Sequence, residues 1–403
     1  MTMLTLDDAR ALLADRVQVP APTAMALQDA TGCRLGAAVT ADVSLPPSDV
    51  SAMDGYAARH AELKADEPFR VAFAVPAGAA PEALPPGAVA RIFTGAMLPA
   101  GADTVVMQED AVAVDDSRVR FRSVPEAGAS VRKAGEVVRA NDVLASAGEL
   151  LTPQLIALLA AASDARISAW RRPAIAVLAT GSELVPVGAT PAPGQIRDSN
   201  STMMAAFVHA AGLPLATRQT VGDDAATLQA ALRSALEGSA DIVICTGGVS
   251  VGDHDLVPDA VASVGGNVLL HGVRMKPGKP ILVAQAGSKW IIGLPGNPVS
   301  AIAGWRLFAW PIARVLAGEA DAMRESPVRA TLAETVTNRG DRELLLPGTL
   351  DGGRGGRDAG GTVRPLNWKG SHDVATTARA NALLRLDAGA THRVGDVVRC
   401  YVL

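Results

Sequence analysis

Two uninterrupted apolar runs, each ending in a glycine-rich turn, constrain the fold of this chain more than any other feature. They are "AIAVLAT" (174–180) and "DIVICTGG" (241–248). Apolar runs without polar alternation are typical of parallel strands buried on both faces. Between them lie two segments with helical spacing that end in glycine, "NSTMMAAFVHAAG" and "DAATLQAALRSALEG". Strands that alternate with helices predict a three-layer α/β domain, which we place at 171–325.

The chain before this domain changes character twice. Thr5 is a suitable N-cap for a helix over 5–17, and "TPQLIALLAAAS" predicts a second helix over 152–163. Short apolar runs separated by Pro/Gly turns fill the stretch between them, which indicates β-structure. We expect the two helices to pack together as a discontinuous helical linker domain (1–40 plus 140–170) around an inserted β-rich domain (41–139).

The C-terminal part of the chain returns to short strands and turns. This pattern predicts a small β-barrel-like or sandwich domain over 326–403. Immediately before it, "NPVSAIAGWRLFAWPIARVLAG" predicts a long helix that is kinked at Pro311. The expected fold class is therefore a multidomain chain of α/β and β modules.

Composition excludes several classes of function. The 37 basic and 41 acidic residues give a net charge of −4 without a basic tail, which argues against nucleic-acid binding. Three widely spaced cysteines and six histidines disfavour a disulfide scaffold and a zinc site. The N-terminus has no signal-peptide core, and the most apolar segments fall short of the ~20 residues that span a bilayer. We therefore expect a cytoplasmic protein that does not enter a membrane.

Three loops of the α/β domain follow predicted strands, where open α/β sheets bind ligands. "ATGSEL" carries Gly181, Ser182 and Glu183, and we expect a helix to begin there. "CTGGVSVGDHD" and "GLPGNPVSA" are the other two loops, and Asn297 of the latter is placed to cap the long helix. Glycines let backbone N–H groups approach an anion closely. The loops predict a phosphate or oxyanion site whose residues are Gly181, Ser182, Gly247, Gly248, Ser250, Gly252, Gly296 and Asn297.

Acidic residues accompany the glycines of these loops. Asp253 and Asp255 lie in the second loop, Glu183 in the first, and Asp223 in "VGDD". Beside a pyrophosphate, these carboxylates would supply oxygen ligands for Mg²⁺, which needs only one or two of them. The chain contains no GxSxG motif, so metal-assisted attack at phosphorus is favoured over covalent catalysis.

The stretch "MKPGKP" (275–280) holds two lysines on stiff backbone. Pro277 and Pro280 each fix φ, and Gly278 supplies a bend. The stretch is either a polar loop that leads into the next strand or a rigid clamp for an anion. The glycine loops of the same domain favour the clamp.

Seven motifs occur in the order in which one known family carries them. They are "SAMDGYA", "TGAMLPAGADTVV", "TGSEL", "GQIRDSNS", "TGGVSVGDHD", "MKPGKP" and "GLPGNPVSA". From about residue 5 to its C-terminus, the chain resembles the molybdopterin molybdenumtransferases, which comprise bacterial MoeA and the E domain of gephyrin-type proteins. The resemblance implies an elongated four-domain homodimer. It also implies that molybdate is inserted into adenylylated molybdopterin with Mg²⁺-dependent release of AMP.

The resemblance also implies roles for single residues. Lys276 and Lys279 match the lysines that face molybdate, and Ser300, Ser371 and Arg342 match further molybdate contacts. Asp54 and Thr94 match catalytic residues of the β-rich domain that reach a partner subunit's cleft. The acidic positions that match the pterin and metal site are Glu183, Asp223 and Asp255, of which Glu183 and Asp255 are expected to be catalytic.

One position departs from the family pattern. Relatives usually carry a second arginine a few residues after the one that Arg342 matches, and this chain has Pro347 there. The loss implies either weaker oxyanion binding or replacement by another basic residue, Arg364 or Lys369. We favour weaker binding.

Two other functions remain open. One is that of the related molybdopterin adenylyltransferase, although this chain lacks its TGGTG-type loop and has about 170 additional N-terminal residues. The other is a non-catalytic scaffold that binds the pterin. The adenylyltransferase and recipient molybdoenzymes are possible protein partners.

Overall fold

The computed structural model describes residues 3–249, 255–352 and 360–403 of the chain. These residues form two compact units. One unit comprises 23–169, and the other combines the N-terminal 22 residues with 170–403. Helix α1 (Leu6–Arg16) belongs to the second unit, and Thr5 caps it by accepting a hydrogen bond from the N–H of Asp8. The N-cap predicted from the sequence is confirmed.

The unit 23–169 is built from short strands and one helix. In chain order they are β1 (Thr23–Ala26), β2 (Arg34–Leu35), β3 (Val39–Thr40), β4 (Val50–Ser51), β5 (Gly55–Ala58), β6 (Pro68–Val75), β7 (Ala88–Ile92), β8 (Thr104–Met107), β9 (Ala111–Asp115), β10 (Arg118–Phe121), β11 (Val131–Arg132), β12 (Val143–Ala145), α2 (Pro153–Ala162) and β13 (Arg166–Trp170).

The main sheet of this unit has six strands in the order β8-β5-β7-β6-β10-β9. Adjacent residues of a strand lie on opposite faces, so Val105 and Val106 enter two different hydrophobic clusters. The remaining strands form a three-stranded sheet, β1-β13-β2, and two ribbons, β11-β4 and β12-β3. The β-rich character predicted between the two helices is therefore confirmed.

Each of the two helices packs in a hydrophobic cluster of its own unit, and the linker domain that would combine them stays a prediction. Leu6 and Leu13 of α1 belong to the main cluster of the α/β domain, whereas Leu159 of α2 packs in a small cluster with Leu151. The side chain of Asp7 also accepts hydrogen bonds from Arg385, at 2.5 and 2.8 Å. The first helix is thus attached to the C-terminal half of the chain by contacts that local sequence does not reveal.

The α/β domain follows the sequence prediction closely. Its elements are β14 (Ile175–Thr180), β15 (Leu184–Val185), β16 (Ile196–Arg197), α3 (Ser199–Ala210), β17 (Leu215–Val221), α4 (Ala225–Glu237), β18 (Ile242–Thr246), α5 (Val257–Ser263), β19 (Asn267–His271), β20 (Met275–Lys276), β21 (Leu282–Ala286), β22 (Lys289–Leu294), α6 (Pro298–Gly304) and α7 (Trp310–Leu316).

Six of these strands form one sheet in the order β17-β14-β18-β22-β21-β19. The first four are parallel to one another. Strand β21 runs antiparallel to β22, and β19 runs antiparallel to β21. Val177 and Leu178 of β14 are buried in different clusters, one on each face of the sheet. The domain therefore has the three layers predicted.

The long helix is interrupted before Pro311. A π-helical segment, Trp305–Ala309, separates α6 from α7. Proline has no N–H to donate to the carbonyl four residues earlier, at Leu307. The buried side chain of Arg10 donates to that carbonyl instead, over 2.9 Å. At the position of the predicted kink the helix therefore contains a π-helical segment, which the side chain of Arg10 on α1 stabilises.

The C-terminal region contains a closed five-stranded barrel. Its elements are β23 (Val328–Leu332), β24 (Val336–Thr337), β25 (Glu343–Asp351), β26 (Gly361–Pro365), α8 (Val374–Thr377), β27 (Ala382–Leu386), β28 (Thr391–His392) and β29 (Val397–Val402). The barrel closes in the order β25-β26-β23-β29-β27 through pairing of β27 with β25. Strand β20 of the preceding domain pairs with β25 in parallel. Over the described ranges, no helix is both long and apolar enough to cross a membrane.

Candidate functional site

Three glycine-containing loops meet at one edge of the α/β sheet. They follow β14, β18 and β22, which are adjacent and parallel, with Ala179, Thr246 and Leu294 in register. The carboxyl ends of parallel strands lie at the same edge, where open α/β sheets bind ligands. The predicted convergence of the three loops is confirmed.

The glycines at this edge allow close packing between the loops. A Cβ on Gly247 would lie 2.6 Å from the carbonyl oxygen of Thr180, so no other residue fits without displacing the backbone. The N–H of Gly247 donates to Leu294, and that of Gly181 donates to Val221. The expectation that these amides face an anion is therefore wrong at both positions, because neighbouring strands already accept their hydrogens.

The first loop is a turn and not the predicted helix start. Residues 181–183 turn into the short strand β15, and the helix begins only at Ser199, with Asp198 as its N-cap. The carboxylate of Glu183 occupies the space beside Gly181, 2.6 Å from where a Cβ would stand. The strand β15 forms because it pairs with β16, which lies twelve residues later in the chain.

Ser182 and Asp223 hold two of the loops together. The N–H of Ser182 donates to the Asp223 carboxylate over 2.8 Å, and the N–H of Asp223 donates to the Ser182 hydroxyl over 3.0 Å. Each loop thereby satisfies an exposed backbone donor of the other. The predicted phosphate residue Ser182 and the predicted metal residue Asp223 are thus direct partners.

A small cavity of about 50 Å³ lies beneath these loops. Its lining includes Thr180, Glu183, Asp198, Asn200, Thr246 and Gly296. Asp198 is buried and accepts hydrogen bonds from Ser201 and Thr220. Sequence reasoning did not select Thr180, Asp198, Asn200 or Thr246 for the site. The motif "GQIRDSNS" was the available signal for Asp198 and Asn200, but a helix N-cap explains an aspartate there equally well.

Part of the second loop lies outside the described residues. Ser250, Gly252 and Asp253, three predicted site residues, fall in the undescribed range 250–254. Asp255 lies two residues before α5. Across the described residues, no group of three or more His, Cys, Asp or Glu side chains could hold a metal ion. The Mg²⁺ site stays a prediction that involves one or two of these carboxylates together with substrate.

The MKPGKP stretch has a buried backbone and exposed lysines. Pro277 and Gly278 are buried, whereas Lys276 and Lys279 are exposed. Gly278 has φ of +99°, and a Cβ there would lie 2.5 Å from Cε of Met275. Neither lysine forms an ion pair with an acid in the ranges that the structure describes. The geometry is that of two exposed ammonium groups on a rigid support.

Other predicted molybdate residues lie around the same stretch. Arg342 donates to the Met275 carbonyl over 3.4 Å, and the pairing of β20 with β25 places Lys276 opposite Leu344. The carbonyl of Ser300 packs beside Gly278, while Ser371 accepts a hydrogen bond from the N–H of Val299. The fold therefore gathers Lys276, Lys279, Arg342, Ser300 and Ser371 in one neighbourhood, although the Ser300 side chain is buried.

Asn297 occupies the N-cap position of α6, but its side chain makes no capping hydrogen bond. The first turn has Pro298 without an N–H, and the next donor, Val299, is already bonded to Ser371. One of the two N–H groups that a capping side chain can reach, that of Val299, is therefore already satisfied. The position predicted for Asn297 is right and the predicted capping contact is wrong.

Pro347 is buried on β25, opposite Leu383 on β27, and its carbonyl accepts a hydrogen bond from Leu366. Arg364 forms an ion pair with Glu334. Lys369 is exposed and lies two residues before Ser371. Lys369 is thus the better placed of the two suggested substitutes.

Asp54 and Thr94 form a pair within the unit 23–169. The backbone N–H and the hydroxyl of Thr94 both donate to one carboxylate oxygen of Asp54 over 2.8 Å. These hydrogen bonds, together with the nearby Arg91 guanidinium, lower the pKa of Asp54. The carboxylate is therefore ionised at neutral pH and fixed in orientation.

Family models match three successive stretches of the chain. The family "MoeA N-terminal region (domain I and II)" matches residues 4–163, "Probable molybdopterin binding domain" matches 176–314, and "MoeA C-terminal region (domain IV)" matches 329–403.

Individual relatives cover nearly the whole chain. A molybdopterin molybdenumtransferase of Nostoc sp. is 36% identical over 90% of this chain and 84% of its own length. Molybdopterin molybdenumtransferase 2 of Mycobacterium tuberculosis is 35% identical over 95% of each chain. The crystal structure of the molybdopterin biosynthesis MoeA protein from Pyrococcus horikoshii superposes with a TM-score of 0.77 at 27% identity, covering 100% of this chain and 99% of the other. The chain therefore belongs to the molybdopterin molybdenumtransferase family, the transferases of molybdenum cofactor biosynthesis.

Proposed function

We propose that this protein inserts molybdate into adenylylated molybdopterin, with Mg²⁺-dependent hydrolysis of the pyrophosphate bond and release of AMP. Hydrolysis of the pyrophosphate bond consumes one water, AMP keeps one phosphate, and the pterin keeps the other. When molybdate binds the two sulfur atoms of molybdopterin, one of its oxygens leaves as water together with the two thiol protons. The observation that carries the proposal is the pair of exposed lysines on the buried backbone of the MKPGKP stretch.

The clamp suits a tetrahedral oxyanion. A lysine ammonium is a compact point charge with three donors. Lys276 and Lys279 have no acidic partner among the described residues, so their charge is available to a ligand. Arg342 adds a planar guanidinium nearby. Ser371, whose carbonyl accepts a hydrogen bond from the N–H of Val299, would contribute a hydroxyl donor.

The sheet-edge loops suit the pyrophosphate and its metal ion. Glu183 and Asp223 follow β14 and β17, which are adjacent parallel strands, and offer the hard oxygen ligands that Mg²⁺ takes together with substrate phosphates. One or two of the four acids Glu183, Asp223, Asp253 and Asp255 would hold the ion together with the substrate phosphates. When bound, it would neutralise charge that develops on the phosphate oxygens. Ser182 holds the Asp223 loop in place for this role.

The Asp54–Thr94 pair is a further candidate for a catalytic role. A carboxylate that accepts two hydrogen bonds on one oxygen leaves the other free to orient a water or a substrate group. We propose that this pair serves the cleft of a partner subunit in a cytoplasmic homodimer. The adenylyltransferase that supplies the substrate and the recipient molybdoenzymes would be transient partners.

The direct test is AMP release by the purified protein. We expect adenylylated molybdopterin and Mg²⁺ to yield AMP in proportion to added molybdate, and omission of molybdate to slow the release. Absence of AMP release under these conditions would contradict the proposal. Formation of adenylylated molybdopterin from molybdopterin and ATP would instead support an adenylyltransferase, and tight pterin binding without turnover would support a scaffold.

The metal role is tested by Asp255→Asn, which keeps the shape of the side chain and removes its charge. We expect AMP release to fall by more than about 100-fold while the adenylylated pterin still binds, because a hard cation requires the charged oxygen. The control is Asp259→Asn, an exposed acid of α5. Release at the parent rate by Asp255→Asn across a Mg²⁺ titration would exclude the metal role.

A further inference from the structure

The MKPGKP stretch is joined to the N-terminal end of the chain by backbone contacts. Leu4 forms a parallel bridge with Val273, and its carbonyl accepts a hydrogen bond from the N–H of Arg274 over 2.8 Å. Arg274 lies two residues before Lys276, and the N–H of Val273 donates to the carbonyl of Lys279 over 2.9 Å. The backbone that leads into both lysines is therefore held by the residue that precedes the N-cap of α1.

A buried guanidinium joins the same end of α1 to the barrel. Both carboxylate oxygens of Asp7 accept hydrogen bonds from Arg385, over 2.5 and 2.8 Å, and the Nε of Arg385 donates to Glu343 over 2.8 Å. The Arg385 side chain is only 3% exposed, so the two carboxylates compensate a charge that has left water. The hydrogen bond with Arg385 lowers the pKa of Asp7, which is therefore ionised at neutral pH.

Glu343 carries this connection to the clamp. It begins β25 and lies opposite Met275 in the parallel pairing of β25 with β20. Arg342, the residue before it, donates to the Met275 carbonyl, and Lys276 follows Met275 in β20. The chain of ion pairs that starts at Asp7 therefore ends at the strand pair that carries Lys276 and borders Arg342.

Apolar packing of α1 occurs at the same place. Leu6 shares one hydrophobic cluster with Val273 and Met275 beside the lysines, and with Leu345 and Leu383 of the barrel. Because the hydrophobic effect is non-directional, this packing holds α1 in place without fixing how the strands align. Paired hydrogen bonds between arginine and carboxylate add the geometric specificity that packing lacks.

We propose that Asp7 is a positioning residue for molybdate binding. Through Arg385 and Glu343 it fixes β25 against β20, and this alignment makes the donors of Lys276 and Arg342 converge on one oxyanion. The inference rests on the proposed function for the identity of the anion. Asp7 contacts neither the anion nor a reacting atom, and it acts only through the two residues that it orders.

Calorimetric titration of the purified protein with molybdate tests this role through the sign of the effect. Asp7→Ala removes a negative charge, which by itself would strengthen the binding of an anion because it removes repulsion. We expect the opposite, a loss of affinity of about 10-fold, since displaced donors forfeit part of their charge-assisted contacts. Asp7→Glu keeps the carboxylate and should recover the affinity to within about 3-fold of wild type.

Asp15→Ala is the matched control. It removes the same charge from the last turn of α1, where Asp15 is exposed and pairs with the exposed Arg324. Molybdate affinity in this variant should equal that of wild type or exceed it.

A double variant identifies the residue through which Asp7 acts. In a Lys276→Ala background, the loss caused by Asp7→Ala should shrink to about 3-fold or less, because the lysine that it positions is gone. Hydrogen exchange supplies a measurement that needs no ligand. Asp7→Ala should speed the exchange of the amides of residues 273–276, and Asp15→Ala should leave it at the wild-type rate.

The outcomes distinguish this inference from the proposed function. Unchanged or tighter molybdate binding in Asp7→Ala, an equal loss in the Lys276→Ala background, or wild-type protein that does not bind molybdate would overturn the positioning role. A purely structural role would lower the melting temperature of Asp7→Ala without weakening molybdate binding. Failure to release AMP, with a molybdate affinity that depends on Asp7, would overturn the proposed reaction and leave the positioning role standing.

Discussion

Two regions of the α/β domain are built in opposite ways: the cleft at the sheet edge, around Ser182, Asp223 and Asn200, and the clamp that carries Lys276 and Lys279. In the cleft, polar side chains are committed to backbone groups of neighbouring loops: Ser182 and Asp223 each accept a hydrogen bond from the other's N–H, and the amide of Asn200 donates to the carbonyl of Gly296. In the clamp, apolar packing around Gly278 holds the backbone, and the two lysine side chains remain exposed. One site is therefore positioned by its own functional groups and the other by the core beneath it.

This difference indicates at which residues a substitution can change ligand binding without changing the stability of the fold. A substitution of an exposed side chain that makes no contact with a neighbouring loop should alter ligand binding alone, because surface substitutions usually change stability by less than ~0.5 kcal/mol. A change to a side chain that holds a loop should alter both properties. The clamp lysines belong to the first class and Ser182 to the second.

The largest effect is expected from removing both lysines. Lys276→Ala combined with Lys279→Ala deletes two charge-assisted contacts, each worth ~1.5–3 kcal/mol. Molybdate affinity should fall by more than about 100-fold in a calorimetric titration, with an unchanged melting temperature. The control is the pair Lys64→Ala and Lys133→Ala, which removes the same charge from exposed positions of the other unit. Unaltered molybdate binding in the first variant would remove the clamp from the mechanism.

A smaller effect on binding, accompanied by loss of stability, is expected from Gly278→Ala. The residue has φ of +99°, and the new Cβ would approach Met275 and Ile281. Strain of this kind costs ~1–3 kcal/mol. Molybdate affinity should drop about 10-fold as the lysines are displaced. Gly265→Ala, at φ of +72° with no atom near the new Cβ, controls for strain alone. Equal molybdate affinities in the two variants would show that the clamp does not need its rigid support.

Ser182→Ala probes the cleft. It removes the hydroxyl that accepts from the Asp223 N–H, an exposed hydrogen bond worth roughly 1 kcal/mol at most. We expect a slightly lower melting temperature together with a several-fold higher KM for the adenylylated substrate. Combined with Asp223→Ala, the effects should be less than additive, because the two substitutions remove two hydrogen bonds that join the same two loops, and loss of either one loosens the other. Ser288→Ala, at an exposed turn, is the control, and strict additivity would contradict coupling of the two loops.

The smallest effect concerns Pro347→Arg. Arginine offers a planar fork of donors that proline lacks, so molybdate affinity should rise by a few-fold if nothing replaces the contact. Because Pro347 is buried opposite Leu383, some loss of stability should accompany the gain. Lys369→Ala and Arg364→Ala complete the titration series. An unchanged affinity in Pro347→Arg, with a large loss in Lys369→Ala, would mean that Lys369 has taken over the role.

The sequence predicted the parts of the site that depend on local pattern. Strand, turn and helix follow from apolar runs, glycines and caps within a few residues, so the meeting of three loops at one sheet edge could be inferred without coordinates. It did not predict which groups those loops leave free. The amides of Gly181 and Gly247 looked available from composition, and their use by Val221 and Leu294 depends on strand neighbours 40 or more residues away.

By itself, the sequence determined the α/β layers and the order of the motifs, because residue type and spacing along the chain encode both, and it predicts the anion-binding role of the clamp. Only the tertiary structure decided that α1 packs with the C-terminal half through Asp7 and Arg385, and that β20 joins the barrel sheet beside Arg342. It alone leaves the Oδ1 of Asn200 without a hydrogen-bond partner among the residues that the structure describes. Such contacts join residues far apart in the chain, and their energies depend on burial and geometry that no local pattern carries.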